Sequence, residues 1–249
     1  MSPRFALLVV VGMFAATCVG RANAAPISAT LAIQYFEVGV TASRPDFGGA
    51  GTPNVANGST LGPNGLPVAS APFGVSDVDP TTHEITWWSP ALNSQIVPTG
   101  TGTVTLPFAS NMFAPNSTGT NDATFFETSI LTGAFSLSSP SAVEFQLGSD
   151  DDSFIYVDGT LFGQNPGIHG VTNVDFTTPT LAAGSHTIEV FYDDREQVVA
   201  FLSLDLLTSG VVITPTDVPE PSSLALLGLG ILGCVVIQKR TRGLIRKLQ

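Results

Sequence analysis

Three consecutive carboxylates, Asp150, Asp151 and Asp152, stand in the stretch Gly148-Ser149-Asp150-Asp151-Asp152-Ser153, between two strand-like runs of this 249-residue chain. Adjacent carboxylates repel one another, and the remedies are solvent, backbone N–H donors or a hard cation that takes oxygen ligands. The spacing is not that of the twelve-residue helix-loop-helix calcium loop, which excludes that mechanism. Spacing alone leaves open an Asx-type turn with its carboxylates in water. The other candidates for chemistry are weaker. His83, His169 and His186 have no second histidine at a zinc-like spacing and read as hydrogen-bonded structural residues. No Gly-x-Ser-x-Gly elbow marks a nucleophile. Two acids suffice for a glycosidase, but no pair is singled out by its spacing. Trp87-Trp88 offers a sugar-stacking platform, although neighbours on a strand point to opposite faces and at least one should be core.

The charge distribution bounds the partners. Of nine Lys and Arg residues, only Arg44 and Arg195 lie in residues 25–218, which hold nineteen of the twenty acids and no lysine. Such a surface repels nucleic acid and anionic membranes and favours divalent cations or neutral partners. Nucleic-acid binding is set aside on this ground.

The two ends read as addresses. Residues 1–24 have a basic start at Arg4, an apolar run over 5–19 and the small-residue pattern Ala22-Asn23-Ala24, which predicts a signal peptide cleaved before Ala25. Near the C-terminus come Pro219-Glu220-Pro221, an apolar run over 224–237, and Lys239-Arg240-Thr241-Arg242. Fourteen apolar residues at ~1.5 Å rise cover about 21 Å, so spanning a ~30 Å hydrocarbon core needs flanking residues, hence a helix over 222–238. The basic cluster favours the cytoplasmic side. This order of Pro-Glu-Pro, apolar helix and basic tail over 219–249 resembles the PEP-CTERM sorting signal of Gram-negative bacteria that make exopolysaccharide. The resemblance implies export, transient membrane retention through the helix, and processing near Pro-Glu-Pro by an exosortase. Removing both ends removes Cys18 and Cys234, so the ectodomain 25–218 holds together without a disulfide.

Strands and turns must position the acids. The chain is 43% hydrophobic and only 12% charged, with 25 Gly, 18 Pro and 16 Phe, a composition that suits strands and turns better than helices. A first strand is predicted over 31–40. Residues 41–80, punctuated by Gly and Pro, form a long irregular excursion, and the sequons at 57–59 and 116–118 are read as turn chemistry. Further strands are predicted over 84–88, 103–108, 125–137 as two strand lengths or one bulged strand with Gly133 inside it, 154–157, 184–192 and 198–207. Val143-Glu144-Phe145-Gln146-Leu147 alternates as a sheet with one buried face requires, and Asp158-Gly159 is a hairpin turn with its return strand starting at Leu161. Eight to ten strands without helical period predict an all-β fold, an antiparallel, jelly-roll-like β-sandwich.

The stretch 148–169, GSDDDSFIYVDGTLFGQNPGIH, resembles the core of the fibro-slime domain, a relative of the lectin-like module named after the anthrax protective antigen. The shared pattern is an acidic triplet, an apolar strand, Asp-Gly, and Gly-aliphatic-His, and the likeness extends over a core of 121–207. In the fungal flocculin branch, two adjacent aspartates joined by a cis peptide hold a calcium ion that ligates sugar hydroxyls. By position the resemblance implies Asp150 and Asp151 as that pair, with Asp152 standing where many relatives have Gly. A second loop must add ligands, and Asn165, Asp193 and Asp194 are candidates by chemistry. The expectation is a non-enzymatic, exported envelope or matrix protein that binds polysaccharide through calcium at Asp150, Asp151, Asp152 and Asn165. Two alternatives are a matrix protein in which the triplet only rigidifies a loop, and a glycan-cleaving enzyme using two acids.

Overall fold

The computed structural model describes residues 29–39, 46–49, 51–112, 125–196 and 199–216. The predicted signal peptide with Ala22 and Ala24, Arg44, the 116–118 sequon, Pro219-Glu220-Pro221 and the apolar helix 222–238 lie outside them. Among the described residues no helix is long and apolar enough to cross a membrane.

Among the described residues eleven strands follow one another: β1 (Thr30–Gly39), β2 (Val97–Thr105), β3 (Phe108–Asn111), β4 (Phe125–Leu137), β5 (Glu144–Asp150), β6 (Asp152–Val157), β7 (Thr160–Asn165), β8 (Thr172–Thr177), β9 (Gly184–Asp193), β10 (Phe201–Leu206) and β11 (Ile213–Pro215). They form a large sheet in the order β2-β1-β4-β9-β6-β7, with β11 also on β4, and a small sheet in the order β3-β10-β5-β8. Every strand ladder is antiparallel. Leu31, Ile33, Leu131, Ile155, Ile188 and Val190 of the large sheet share one buried core with Phe145, Leu147, Leu202 and Leu204 of the small sheet. The arrangement is a β-sandwich, as the alternation predicts.

A second core lies on the other face of the large sheet. Phe36, Val38, Phe154, Tyr156 and Phe191 pack there against Phe47, Val55, Leu66, Trp87 and Trp88. Successive side chains along β6 and β9 therefore enter different cores, and this two-sided burial is the physical reason that 154–157 is apolar without a break. The described part of the excursion is thus a cover layer built without long strands. Buried carboxylates organise its loops instead: Asp46 accepts the N–H groups of Ser76 and Asp77 and Trp87 Nε1, and Glu84 accepts from Asn64 and Leu66. Gly51 and Gly74 hold positive φ of 62° and 74°, and a Cβ on Gly51 would collide with the Gly74 carbonyl oxygen.

The strand assignments need five corrections. Residues 84–88 are not a strand: Glu84 and Ile85 make only isolated bridges to Val68 and Val78, within the cover layer. The run 103–108 is split, because Pro107 lacks the N–H a ladder requires, and the chain passes from β2 in the large sheet to β3 in the small one. Edge strand β8 was not predicted, although Val174 and Phe176 alternate with polar neighbours. Three-residue β11 is too short to carry a pattern. Residues 125–137 form one uninterrupted strand.

Candidate functional site

The acidic triplet sits where the chain changes sheets. β5 ends at Asp150, Asp151 lies between, and β6 begins at Asp152; the Asp150–Asp151 peptide is cis. In the large sheet β6 pairs with β9 so that Asp152 faces Asp193. Antiparallel register then carries the residue before Asp152 and the residue after Asp193 to the same end of the sandwich. One carboxylate oxygen from each of Asp150, Asp151 and Asp194 lies within 4.8 Å of the others. All three side chains belong to buried residues, at 8%, 1% and 0% exposure, so the reading of a turn with its carboxylates in water is overturned.

Main-chain donors orient the Asp151 carboxylate, and hydrogen bonds of their own backbones hold Asp150 and Asp194 beside it. Asp151 Oδ1 accepts the His169 N–H at 2.9 Å, and Oδ2 accepts those of Arg195 and Glu196 at 2.9 and 3.1 Å. The Asp150 carbonyl accepts Tyr192 Oη at 2.6 Å, and Asp194 N–H donates to Glu127 O. Three carboxylates gathered in buried positions suit a hard divalent cation, whose ligands are oxygens.

The remaining candidates are placed differently. Asp152 is turned away from the trio: Oδ2 accepts Arg195 Nε at 2.7 Å and Oδ1 accepts the Gly167 N–H. Burial pushes its carboxyl up, and the neighbouring Arg195 opposes that shift. Asp193, fully buried and 3.8 Å from Arg195 Nε, is pushed well above the usual carboxylate range, chiefly by burial. Asn165 spends its amide N–H groups on Ser149 Oγ and the Thr172 carbonyl. Ser149 Oγ in turn meets Ser153 Oγ at 2.8 Å, so this amide braces the loop that carries the triplet. Burial alone would lower the Arg195 pKa, but Asp152 and Asp193 beside it outweigh that and hold it above its ordinary value.

The histidines have structural partners. His83 packs on Phe73, and His186 bridges Asp158 and the Ala182 carbonyl. Trp87 and Trp88 are both buried and form no surface platform: they donate to Asp46 and to the Tyr192 carbonyl, respectively. Their adjacency is accommodated by the cover layer, which has no pleat to send one of them outward. At the opposite end of β6 a cleft of about 520 Å³ opens between Asn57, the β6–β7 hairpin and 177–181, floored by Val157, Leu161 and Phe162.

Sequence reasoning did not single out Arg195, nor the main-chain donors of His169 and Glu196. The available signal was that Arg195 is one of only two basic residues in 25–218 and directly follows Asp193-Asp194.

Residues 217–240 match the PEP-CTERM protein-sorting motif. No curated protein matches the chain. Among solved structures, the chain is similar to the PA14 sugar-binding domain from an RTX adhesin, at 23% identity and TM-score 0.30, covering 36% of this chain and 51% of that one. It therefore spans about half the length of that relative. It is also similar to the epithelial adhesin 9 A domain of Candida glabrata in complex with Galβ1-4GlcNAc, at 10% identity and TM-score 0.41, covering 78% and 93% of the two chains. A third likeness is to the PA14 domain of the antifreeze protein MpAFP, at 12% identity and TM-score 0.35, covering 76% and 93%. At these values none supplies a residue-by-residue correspondence. Residues 217–240 are a PEP-CTERM sorting tail, and the chain is an exported protein that carries this tail behind an all-antiparallel β domain.

Proposed function

We propose that the protein binds polysaccharide, or another hydroxyl-rich component of the envelope or matrix, through a calcium ion held by Asp150, Asp151 and Asp194. The observation that supports this reading is the convergence of three buried carboxylates within 4.8 Å at one end of the sandwich. A bound calcium takes six to eight oxygen ligands, so three carboxylates leave positions that main-chain carbonyls, water or vicinal sugar hydroxyls would complete. Asp151, whose carboxylate accepts three N–H groups, is held in one orientation, as a cation ligand requires. Asp152 and Asn165 are supports of the loop in this reading, not ligands. The sorting tail would hold the protein at the inner membrane until an exosortase releases it to the surface or matrix.

The test is calcium titration of the full-length chain by calorimetry, followed by retention on a polysaccharide column in calcium and in chelator. Saturable calcium binding with calcium-dependent retention is expected. Retention unchanged by chelator, or by Asp150→Asn combined with Asp194→Asn, would refute the mechanism.

A further inference from the structure

We propose that Arg195 is the positioning residue of the cation site: its side chain fixes Asp151 and Asp194 by locking the segment 194–196 to the cover layer. The inference rests on the reading of Asp150, Asp151 and Asp194 as cation ligands. Three consecutive residues do two jobs there. Asp194 supplies one carboxylate, while the Arg195 and Glu196 N–H groups orient Asp151 Oδ2. These residues are held by the Asp194 N–H on the Glu127 carbonyl, by the Arg195 carbonyl, which accepts the Gly48 N–H at 2.8 Å, and by the Arg195 side chain, which alone of the three joins them to Asp152.

The guanidinium is fully buried and makes contacts in four directions. Nε donates to Asp152 Oδ2 at 2.7 Å, Nη1 to the Asp46 carbonyl at 3.3 Å and Nη2 to the Gly51 carbonyl at 3.0 Å, while Cζ lies 4.9 Å from the centre of the Trp87 ring. Asp152 is the chain neighbour of Asp151, so one side chain braces the trio from both of its loops. Only a planar fork with several fixed donors can reach a carboxylate, two carbonyls and a ring face together, which a lysine ammonium cannot. Among the described residues this is the only Lys or Arg. Its placement inside the protein carries a desolvation cost that a mere counter-charge on the surface would avoid. The link also runs outward: Asp46, whose carbonyl meets Arg195, holds the Ser76 and Asp77 N–H groups through its carboxylate. Cation occupancy and the packing of the cover layer are therefore coupled through Arg195.

The experiment uses the full-length chain with calcium as the probe and chelator as the reference. Arg195→Lys keeps the charge and loses the fork; Asp152→Asn removes the charged partner of Nε and serves where the first variant does not fold. Each is expected to weaken calcium binding by about 10–100-fold, the range for groups that orient metal ligands. In the wild type, calcium should slow hydrogen exchange at the Ser76 and Asp77 amides, and that protection should shrink in both variants. A purely structural arginine would lower the melting point equally in calcium and in chelator. Variants that fold and bind calcium within twofold of wild type would overturn the positioning role alone. A wild type that binds no calcium would overturn this inference together with the reading of the site.

Discussion

The strand pair β6–β9 ends in acids at both extremities, and the two ends are handled in opposite ways. At one end Asp152 faces Asp193 and the chain continues into Asp151 and Asp194, all four at 0–1% exposure. At the other end, past the Val157–Ile188 pair, Asp158 opens the β6–β7 hairpin with positive φ of 51°, followed by Gly159 at 70°. There the carboxylate is 48% exposed and already satisfied, with Oδ2 on His186 Nδ1 at 2.7 Å and Oδ1 on the Thr187 N–H. The same residue type in the same strand pair thus becomes a turn-capping acceptor where water reaches it. Where the cover layer and the sheet crossover bury it, it becomes a candidate ligand. Burial, more than acid density, separates the two.

The largest expected effect breaks the acidic end. At calcium concentrations 100 times the dissociation constant, a ligand specific to the folded state adds about 2.7 kcal/mol, a shift of several degrees in Tm for a domain this size. Asp150→Asn with Asp194→Asn should remove that increment, as read by calorimetric melting in calcium against chelator. A double variant that keeps the increment would remove the distinction between the two ends.

Next in size is a change between the ends. Trp88→Phe deletes the donor to the Tyr192 carbonyl and leaves a space among Phe154 and Phe191. It should cost about 1–3 kcal/mol in denaturant titration. The loss should already appear in chelator, because the hydrogen bond and ring contacts that it removes are made by the protein itself.

The mirror change, Asp158→Asn, should lower Tm by no more than about 2–4 °C, since a part-exposed pair is screened by solvent. Its calcium increment should equal that of the wild type. Loss of the increment here would mean that the ends are coupled along β6 and β9.

The smallest effect is one of pH. Hydrogen bonds from His186 to Asp158, and then to the Ala182 carbonyl, raise the histidine pKa above 6.5. A raised histidine binds its proton more tightly in the folded state. Its contribution is therefore complete below pH 6.5 and is lost as pH rises through the higher folded value. Melting of the wild type in chelator should show this decline, and Asp158→Asn should flatten it. An identical pH profile for the two proteins would show that the pair contributes nothing.

Much of the frame follows from local chemistry. The alternation from Val143 to Leu147 needs only the two-residue period of a strand with one wet face, and the structure keeps Val143, Phe145 and Leu147 fully buried. Asp158-Gly159 needs only two residues tolerant of positive φ, and the turn forms there. The PEP-CTERM motif is equally local, a linear order of Pro-Glu-Pro, apolar run and basic residues. The acidic triplet was visible as a run of like charges. Its partner Asp194 was one of three second-loop candidates, with no means of choosing among them, because it lies more than forty residues away and reaches Asp151 only through the Asp152–Asp193 register. The strand expected over 84–88 failed for a related reason, since strand periodicity does not hold in a layer ordered by the carboxylates of Asp46 and Glu84. What the sequence by itself determined is the strand grammar, the sorting tail and the excess of acid. Which acids are dry, which meet each other, and which one Arg195 holds were decided only by tertiary structure, because burial and long-range register are properties of the packed chain.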